Sequence, residues 1–127
     1  MTKKELKELA DLPLTDFGNA LRLQSIFKGR WVYLPQYKYW MYRDLHSWTG
    51  RRTQEVFNEA SEALRKLARS IYNLPIPRDE AEQSRRVRVI TWLCLSQRVS
   101  HIRKAVQWYR NMQLAERQVE EEVLQGS

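Results

Sequence analysis

One cysteine, Cys94, is all that the chain contains. It can form no intrachain disulfide, and such cysteine usage suits a reducing compartment. Histidine is nearly as scarce. His46 and His101 stand far apart, and without a Cys/His cluster no spacing is left that would hold zinc. Cys94, His46 and His101 are therefore read as structural. No G-x-x-x-x-G-K-[ST] stretch occurs, so the phosphate loop of a nucleotide-driven motor is missing. No apolar run approaches the roughly 18 residues of a membrane span. The opening MTKKELKELADLP is charged and lacks the apolar stretch of a secretory signal. Neighbouring carboxylates such as Asp79 and Glu80 suit the positive end of a helix better than acid–base work. Asp16 and Asp44 imitate a metal-binding pair only loosely. The expectation from these absences is a cytoplasmic chain without enzymatic activity, cofactor, metal or membrane partner.

What the chain does have is positive charge and flat rings. Lys and Arg number 22 against 15 Asp and Glu, for a net charge of +7 and a pI near 9.8. An acidic partner follows from that balance: nucleic acid, an anionic membrane or an acidic protein. The charge is distributed in blocks. Between Arg22 and Arg52 seven cations face one carboxylate, Asp44, and between Arg78 and Arg110 eight face three. The first block also holds three Trp and four Tyr.

Residues 1–12 read as a polar helix or a frayed arm, interrupted by Pro13. Thr15 stands as an N-cap with Asp16 in the first turn. Phe17, Ala20, Leu21, Gln24 and Phe27 fall at helical spacing, which predicts a helix over 16–28 that Gly29 ends. RWVYL (30–34) and YWMYR (39–43), joined by PQYK, predict a β-hairpin. Trp31 and Tyr33 share one face of it, with Trp40 and Tyr42 lined up across from them. A turn through DLHS leads to Trp48, and Gly50 closes the segment. Val56, Ala60, Ala63, Leu64, Leu67 and Ile71 then recur at intervals of three and four, predicting a helix from Thr53 to Tyr72. NLPIP breaks it.

A further helix starts near Arg78, and its stretch VRVITWLCL is apolar on most sides, which predicts burial. Ser96 or Ser100 is expected to cap a last helix carrying Val99, Ile102, Val106 and Tyr109, with ERQVEEEVLQGS as its fraying end. The predicted fold class is α+β, mainly α. It has about four helices and one small β-hairpin, or short antiparallel sheet, after the first helix. The whole of 1–127 reads as a single domain, with a polar arm over 1–12, a body over 14–110 and an acidic tail over 111–127.

Three stretches carry a resemblance. LTDFGNALRL, with Thr15, Asp16, Gly18, Asn19, Ala20, Arg22 and Leu23, resembles the opening of the domain that precedes the helicase in phage and plasmid primase–helicases, a group that includes the poxvirus-type superfamily-three helicases. Trp40, Tyr42, Asp44 and Trp48 keep the spacing of that family's aromatic hairpin, although Arg43 displaces an aromatic and Leu45 replaces the turn glycine. Trp92, Ser96 and Ile102 match a later pattern. The likeness spans roughly Leu14 to Arg110. It implies a non-catalytic domain of DNA replication that helps assemble or load a helicase ring.

The residues themselves point to nucleic acid through rings interleaved with cations. Single strands are held by a positive groove and by bases stacked on aromatic faces. Trp31, Trp40 and Trp48 are assigned to the core, because a small hairpin must pack on helices through its largest rings. Tyr37 and Tyr39, at the hairpin turn, are the exposed candidates. Arg22, Arg30, Lys38, Arg43, Arg51 and Arg52 supply charge around them. On the helix containing SRRVRV, Arg85 and Arg88 share a face, which Arg78, Arg103, Lys104 and Arg110 extend. The expected partner is DNA, single-stranded or bound without sequence preference. The alternative is a stand-alone protein-interaction module of a mobile element, docking on a helicase or a host defence complex.

Overall fold

The structure, a computed structural model, describes residues 1–45 and 47–125. Its elements run α1 (Lys3–Asp11), α2 (Asp16–Phe27), β1 (Trp31–Leu34), β2 (Tyr39–Arg43), β3 (Trp48–Arg51), α3 (Thr53–Tyr72), α4 (Glu80–Leu95) and α5 (Val99–Gln125). The α+β, mainly helical class is as expected, with one helix and one strand more than predicted. His46 lies outside the described residues, as do the last two positions of the tail. Among the described residues no helix is long and apolar enough to cross a membrane.

The arm over 1–12 is a docked helix. A capping box closes its start: Thr2 Oγ1 accepts from the Glu5 amide and Glu5 Oε2 from the Thr2 amide, both at 3.1 Å. Leu6 and Leu9, three apart, are buried, chiefly against α3. The cap of α2 is as predicted, with Thr15 Oγ1 accepting from the Gly18 amide at 2.9 Å. The end of α2 also falls where predicted, through Lys28 (φ 50°) and Gly29 (φ 75°) in the left-handed region. Neither serine caps the last helix. α5 begins at Val99, and Ser96 is fully buried.

The hairpin register is the one alternation predicts: Trp31 opposes Tyr42, and Tyr33 opposes Trp40. This face turns inward. Trp31, Trp40 and Phe27 gather around Tyr109 of α5, whose ring is parallel to Trp40 at 6.0 Å and edge-on to Phe27 at 5.6 Å. The unpredicted strand β3 pairs antiparallel with β2, giving the order β1-β2-β3. The Leu45 turn needs no glycine, since Leu45 does not have positive φ. Instead the Asp44 amide donates to the Ser47 carbonyl at 3.1 Å, and the Ser47 amide to Asp44 Oδ1 at 3.2 Å.

The outer edge of β1 is sealed by α5. Tyr109 Oη donates to the Trp31 carbonyl at 3.1 Å, and Gln113 Nε2 donates to the same oxygen. The Tyr33 amide donates to Gln113 Oε1 at 3.2 Å, and Arg117 donates to the Tyr33 carbonyl at 2.9 Å. These side chains stand in for a neighbouring strand and satisfy an edge that would otherwise invite one. The helix is therefore anchored through Arg117, into the ERQVEEEVLQGS stretch expected to fray, and it continues to Gln125.

α4 departs most from expectation. Only Val89 and Leu93 of this helix are buried. It packs chiefly on α3, with Ile90 and Trp92 partly buried against the core and Val87, Cys94 and Leu95 exposed.

A candidate nucleic-acid interface on the open face of the sheet

Inward and outward positions alternate along a strand. With Trp31, Tyr33, Trp40 and Tyr42 inside, the other side of the sheet carries Val32, Leu34, Tyr39, Met41, Arg43, Trp48 and Gly50. The register sets Arg43 opposite Trp48 and Met41 opposite Gly50, while the Arg43 amide donates to the Arg30 carbonyl at 2.8 Å. One end of this face therefore collects Arg30, Arg43 and Trp48, which line a cleft of about 460 Å³ together with Tyr42, Asp44, Leu45 and Ser47. The Arg43 guanidinium lies 5.6 Å from the centre of the Trp48 ring. Trp48 is 45% exposed, which corrects its assignment to the core. The third strand brings it to the side opposite Trp40, where no helix covers it.

The other end of the face holds Tyr39, whose ring passes 3.6 Å from where a Cβ on Gly50 would stand. Tyr37 is 5.8 Å from Tyr39, centre to centre, and both are exposed. Lys38, between them, takes φ 55° in the turn. Arg30, Lys38, Arg43 and Arg52 are exposed and make no ion pair among the described residues. Rings and cations thus share one face of the sheet.

The remaining candidates do not join it. Arg51 pairs across from Trp40. It is held half-buried, 5.6 Å from the Tyr42 ring centre and 3.7 Å from Glu55 Oε2. Arg85 reaches Asp11 Oδ1 at 3.1 Å, at the end of α1. Arg86 donates to the carbonyls of Leu74 and Pro75 at 3.0 and 2.8 Å. Arg88 on α4 and Arg103 and Lys104 on α5 are exposed.

Arg22 requires a correction. It is fully buried and every nitrogen of its guanidinium is engaged. Nε donates to the Leu9 carbonyl at 2.9 Å, Nη2 to Leu12 at 2.7 Å, and Nη1 to Pro13 at 2.9 Å and to Asn19 Oδ1 at 3.1 Å. The cation sits where the carbonyls end α1, which has no basic residue in its own last turn. Burial pulls its pKa down to about 10, so it stays charged at neutral pH and is unavailable to any ligand.

Asn19 extends the network. Its Nδ2 donates to Ser96 Oγ at 2.8 Å, its Oδ1 accepts from Trp92 Nε1 at 3.1 Å, and Ser96 Oγ donates to the Trp92 carbonyl at 2.6 Å. His101 Nδ1 lies 2.7 Å from Asp16 Oδ1, and its ring meets Trp92 edge-on at 5.0 Å. Asp16 thus pairs with a histidine. Among the described residues no three His, Cys, Asp or Glu gather as metal ligands. The Thr-Asp-x-Gly-Asn-Ala-x-Arg-Leu and Trp-x-x-x-Ser stretches meet in this one interior knot.

Sequence reasoning passed over a second ring pair, Phe17 and Trp108, edge-on at 5.2 Å and about half exposed. It lies between α2 and α5, with Lys104 one turn before Trp108. Both aromatics stood within helical patterns that were read only for their core positions. Against protein-family models, characterised proteins and solved structures, the chain gives no match.

Proposed function

We propose that this chain is a non-catalytic accessory domain of DNA replication that binds single-stranded DNA on the open face of its sheet. One observation carries the reading. The half-exposed Trp48 indole has a guanidinium 5.6 Å from its centre, in a cleft that the second cation Arg30 also lines. A base stacked on such a ring is worth about 1–3 kcal/mol, against roughly 0.5–1 kcal/mol for an exposed cation–π contact. The base therefore takes the indole face and releases Arg43 to a phosphate. Tyr39 and Tyr37 offer further rings, with same-face positions along a strand about 7 Å apart. Lys38 and Arg52 add charge at that end. Nothing in this scheme reads base edges, so binding is independent of sequence.

The resemblance to the pre-helicase domain of primase–helicases supports a place in replication and a role in assembling or loading a helicase. Of its motif residues Asn19, Ala20, Arg22, Leu23, Trp40 and Ser96 are interior, which argues for common architecture, while Asp44 and Trp48 line the cleft, and the binding surface is argued from the sheet itself.

Titration of the chain with an oligothymidylate, followed by tryptophan fluorescence over a salt series, tests the reading. Quenching is expected, with log affinity falling against log salt at about −0.7 per phosphate neutralised. Absence of binding at low ionic strength, or affinity indifferent to salt, overturns it. A pull-down from plasmid-bearing or infected cells with and without nuclease separates the rival reading, in which this face docks a protein. A partner retained after nuclease and lost in a Trp48→Ala chain favours the rival.

A further inference from the structure

α4 carries more apolar surface than the fold uses. Its Val87 is 63% exposed and its Leu95 39%, Cys94 is exposed and Ile90 is half-buried. Positions 87, 90 and 94 recur at intervals of three and four and so share one side of the helix. Beside them runs the end of α3, with Ala68 and the exposed Tyr72. Two adjoining hollows, of about 660 and 310 Å³, have Ile90, Cys94 and Gln97 in common. Arg65, Arg69 and Arg98 rim them, and no carboxylate lines either. Arg65 is held by Glu62, whereas Arg69 and Arg98 make no ion pair among the described residues.

An apolar floor with a cationic rim is the complement of an amphipathic helix whose apolar positions are flanked by glutamates. The chain contains such a sequence, ERQVEEEVLQ over 116–125, with Val119 and Val123 one turn apart and Glu at 116, 120, 121 and 122. It forms the end of α5, which is continuous to Gln125. Gln24 Nε2 donates to Glu116 at 2.8 Å and Arg117 is anchored on β1, so the segment leaves the body beside the sheet. Arg98, at the groove, immediately precedes the other end of α5. At 1.5 Å per residue the acidic segment starts about 26 Å farther along the axis. A continuous helix cannot turn back over that length onto its own groove.

We propose that the groove between α3 and α4 receives the acidic end of α5 from a second copy of this chain. Donor and acceptor surfaces differ, so the contact is head to tail, and a pair leaves one groove and one tail, on opposite copies, for further copies. Surplus positive charge opposes association of whole molecules, while the local pairing of glutamates with Arg69 and Arg98 favours this register alone.

Sedimentation or light scattering of the nuclease-treated full chain over a range of concentrations tests the proposal. The mass should rise with concentration. Arg69→Glu with Arg98→Glu should abolish that rise, as should Glu120→Lys with Glu121→Lys, each variant keeping its helical circular dichroism. Mixed, the two variants should associate again, because each then offers the other a complementary groove and tail. Trp48→Ala should leave association intact, which separates this contact from the sheet's binding of DNA. A chain that stays monomeric throughout overturns the proposal. So does association that ignores both charge reversals, or a mixture that does not recover it.

Discussion

Asn19 Nδ2 donates to Ser96 Oγ over 2.8 Å, joining residues that are 77 positions apart in the chain. Through Asn19 Oδ1 the same side chain touches Arg22 and Trp92, so one amide ties the α1–α2 corner to the end of α4. Arg22 presents the carbonyls of that corner with donors that no water could replace inside. Arg22→Lys keeps the charge but loses the fork. Buried acceptors left unpaired cost about 1–3 kcal/mol each, so this variant should lose at least about 2 kcal/mol in urea unfolding.

Gly18 makes the corner possible by having no side chain. A Cβ there would stand 1.9 Å from the Pro13 carbonyl oxygen. Ordinarily Gly→Ala inside a helix gains roughly 1 kcal/mol. Here the sign should reverse, with Gly18→Ala costing about 1–3 kcal/mol as the backbone shifts. A melting temperature at or above that of the parent chain would contradict this account.

Tyr109 gives the fold an alkaline limit. Burial pushes its phenol up to about 12, with a hydrogen bond from Gln113 acting against the shift and the nearby Glu116 adding to it. Between its ordinary pKa near 10 and about 12, the folded chain holds a proton that the unfolded chain has lost. This contribution to stability is complete below the lower value and falls by about 2–3 kcal/mol as pH rises through the window. Arg22, drawn down to about 10, acts in the opposite sense over the same range. The difference between the parent chain and Tyr109→Phe isolates the phenol. The variant should cost about 1 kcal/mol at neutral pH and show a smaller alkaline loss. By ultraviolet absorbance one of the six tyrosines should ionise last, and that step should vanish in the variant.

The hairpin register, the cap at Thr15 and the span of α3 were legible because each is written locally, in alternation, in one capping residue, or in a repeat of three and four. The fate of Arg22 was not. Its acceptors belong to Leu9, Leu12 and Pro13, and only the packing of α1 on α2 brings them together. Trp48 was misjudged for a related reason. Ring size argues for burial, whereas its side of the sheet follows from pairing with Arg43 in a strand that only four residues form. On α4 the apolar pattern says that surface is available for covering and leaves open which side the chain itself covers. The anchoring of α5 rests on Tyr109, Gln113 and Arg117 reaching an exposed strand edge, and hydropathy carries no signal for it.

Lys38 bears strain that a single change relieves. Left-handed backbone costs an L-residue about 1–2 kcal/mol, and Lys38 sits at φ 55° in the hairpin turn. Lys38→Gly should stabilise the fold by up to about 1 kcal/mol, part of the gain being offset by the freer unfolded chain. Lys28→Gly, at φ 50° in the C-cap of α2 and not in the sheet's turn, should do the same. The two separate in binding: only Lys38→Gly should lower the salt slope for an oligothymidylate, by about 0.7.

Stacking and charge at the Arg43–Trp48 pair should likewise separate. In Trp48→Ala the cations remain, so the salt slope should hold while affinity drops roughly tenfold to a hundredfold, as expected for one lost stacked base. In Arg43→Gln the ring remains and loses the cation that covers it in the free chain. The slope should then fall by about 0.7, with fluorescence quenching at saturation preserved or deepened. Neither side chain is buried, so both variants should melt as the parent does, within about 0.5 kcal/mol. Equal losses of slope and affinity in both would mean that ring and cation act only through each other, and the division of labour argued for this face would not stand.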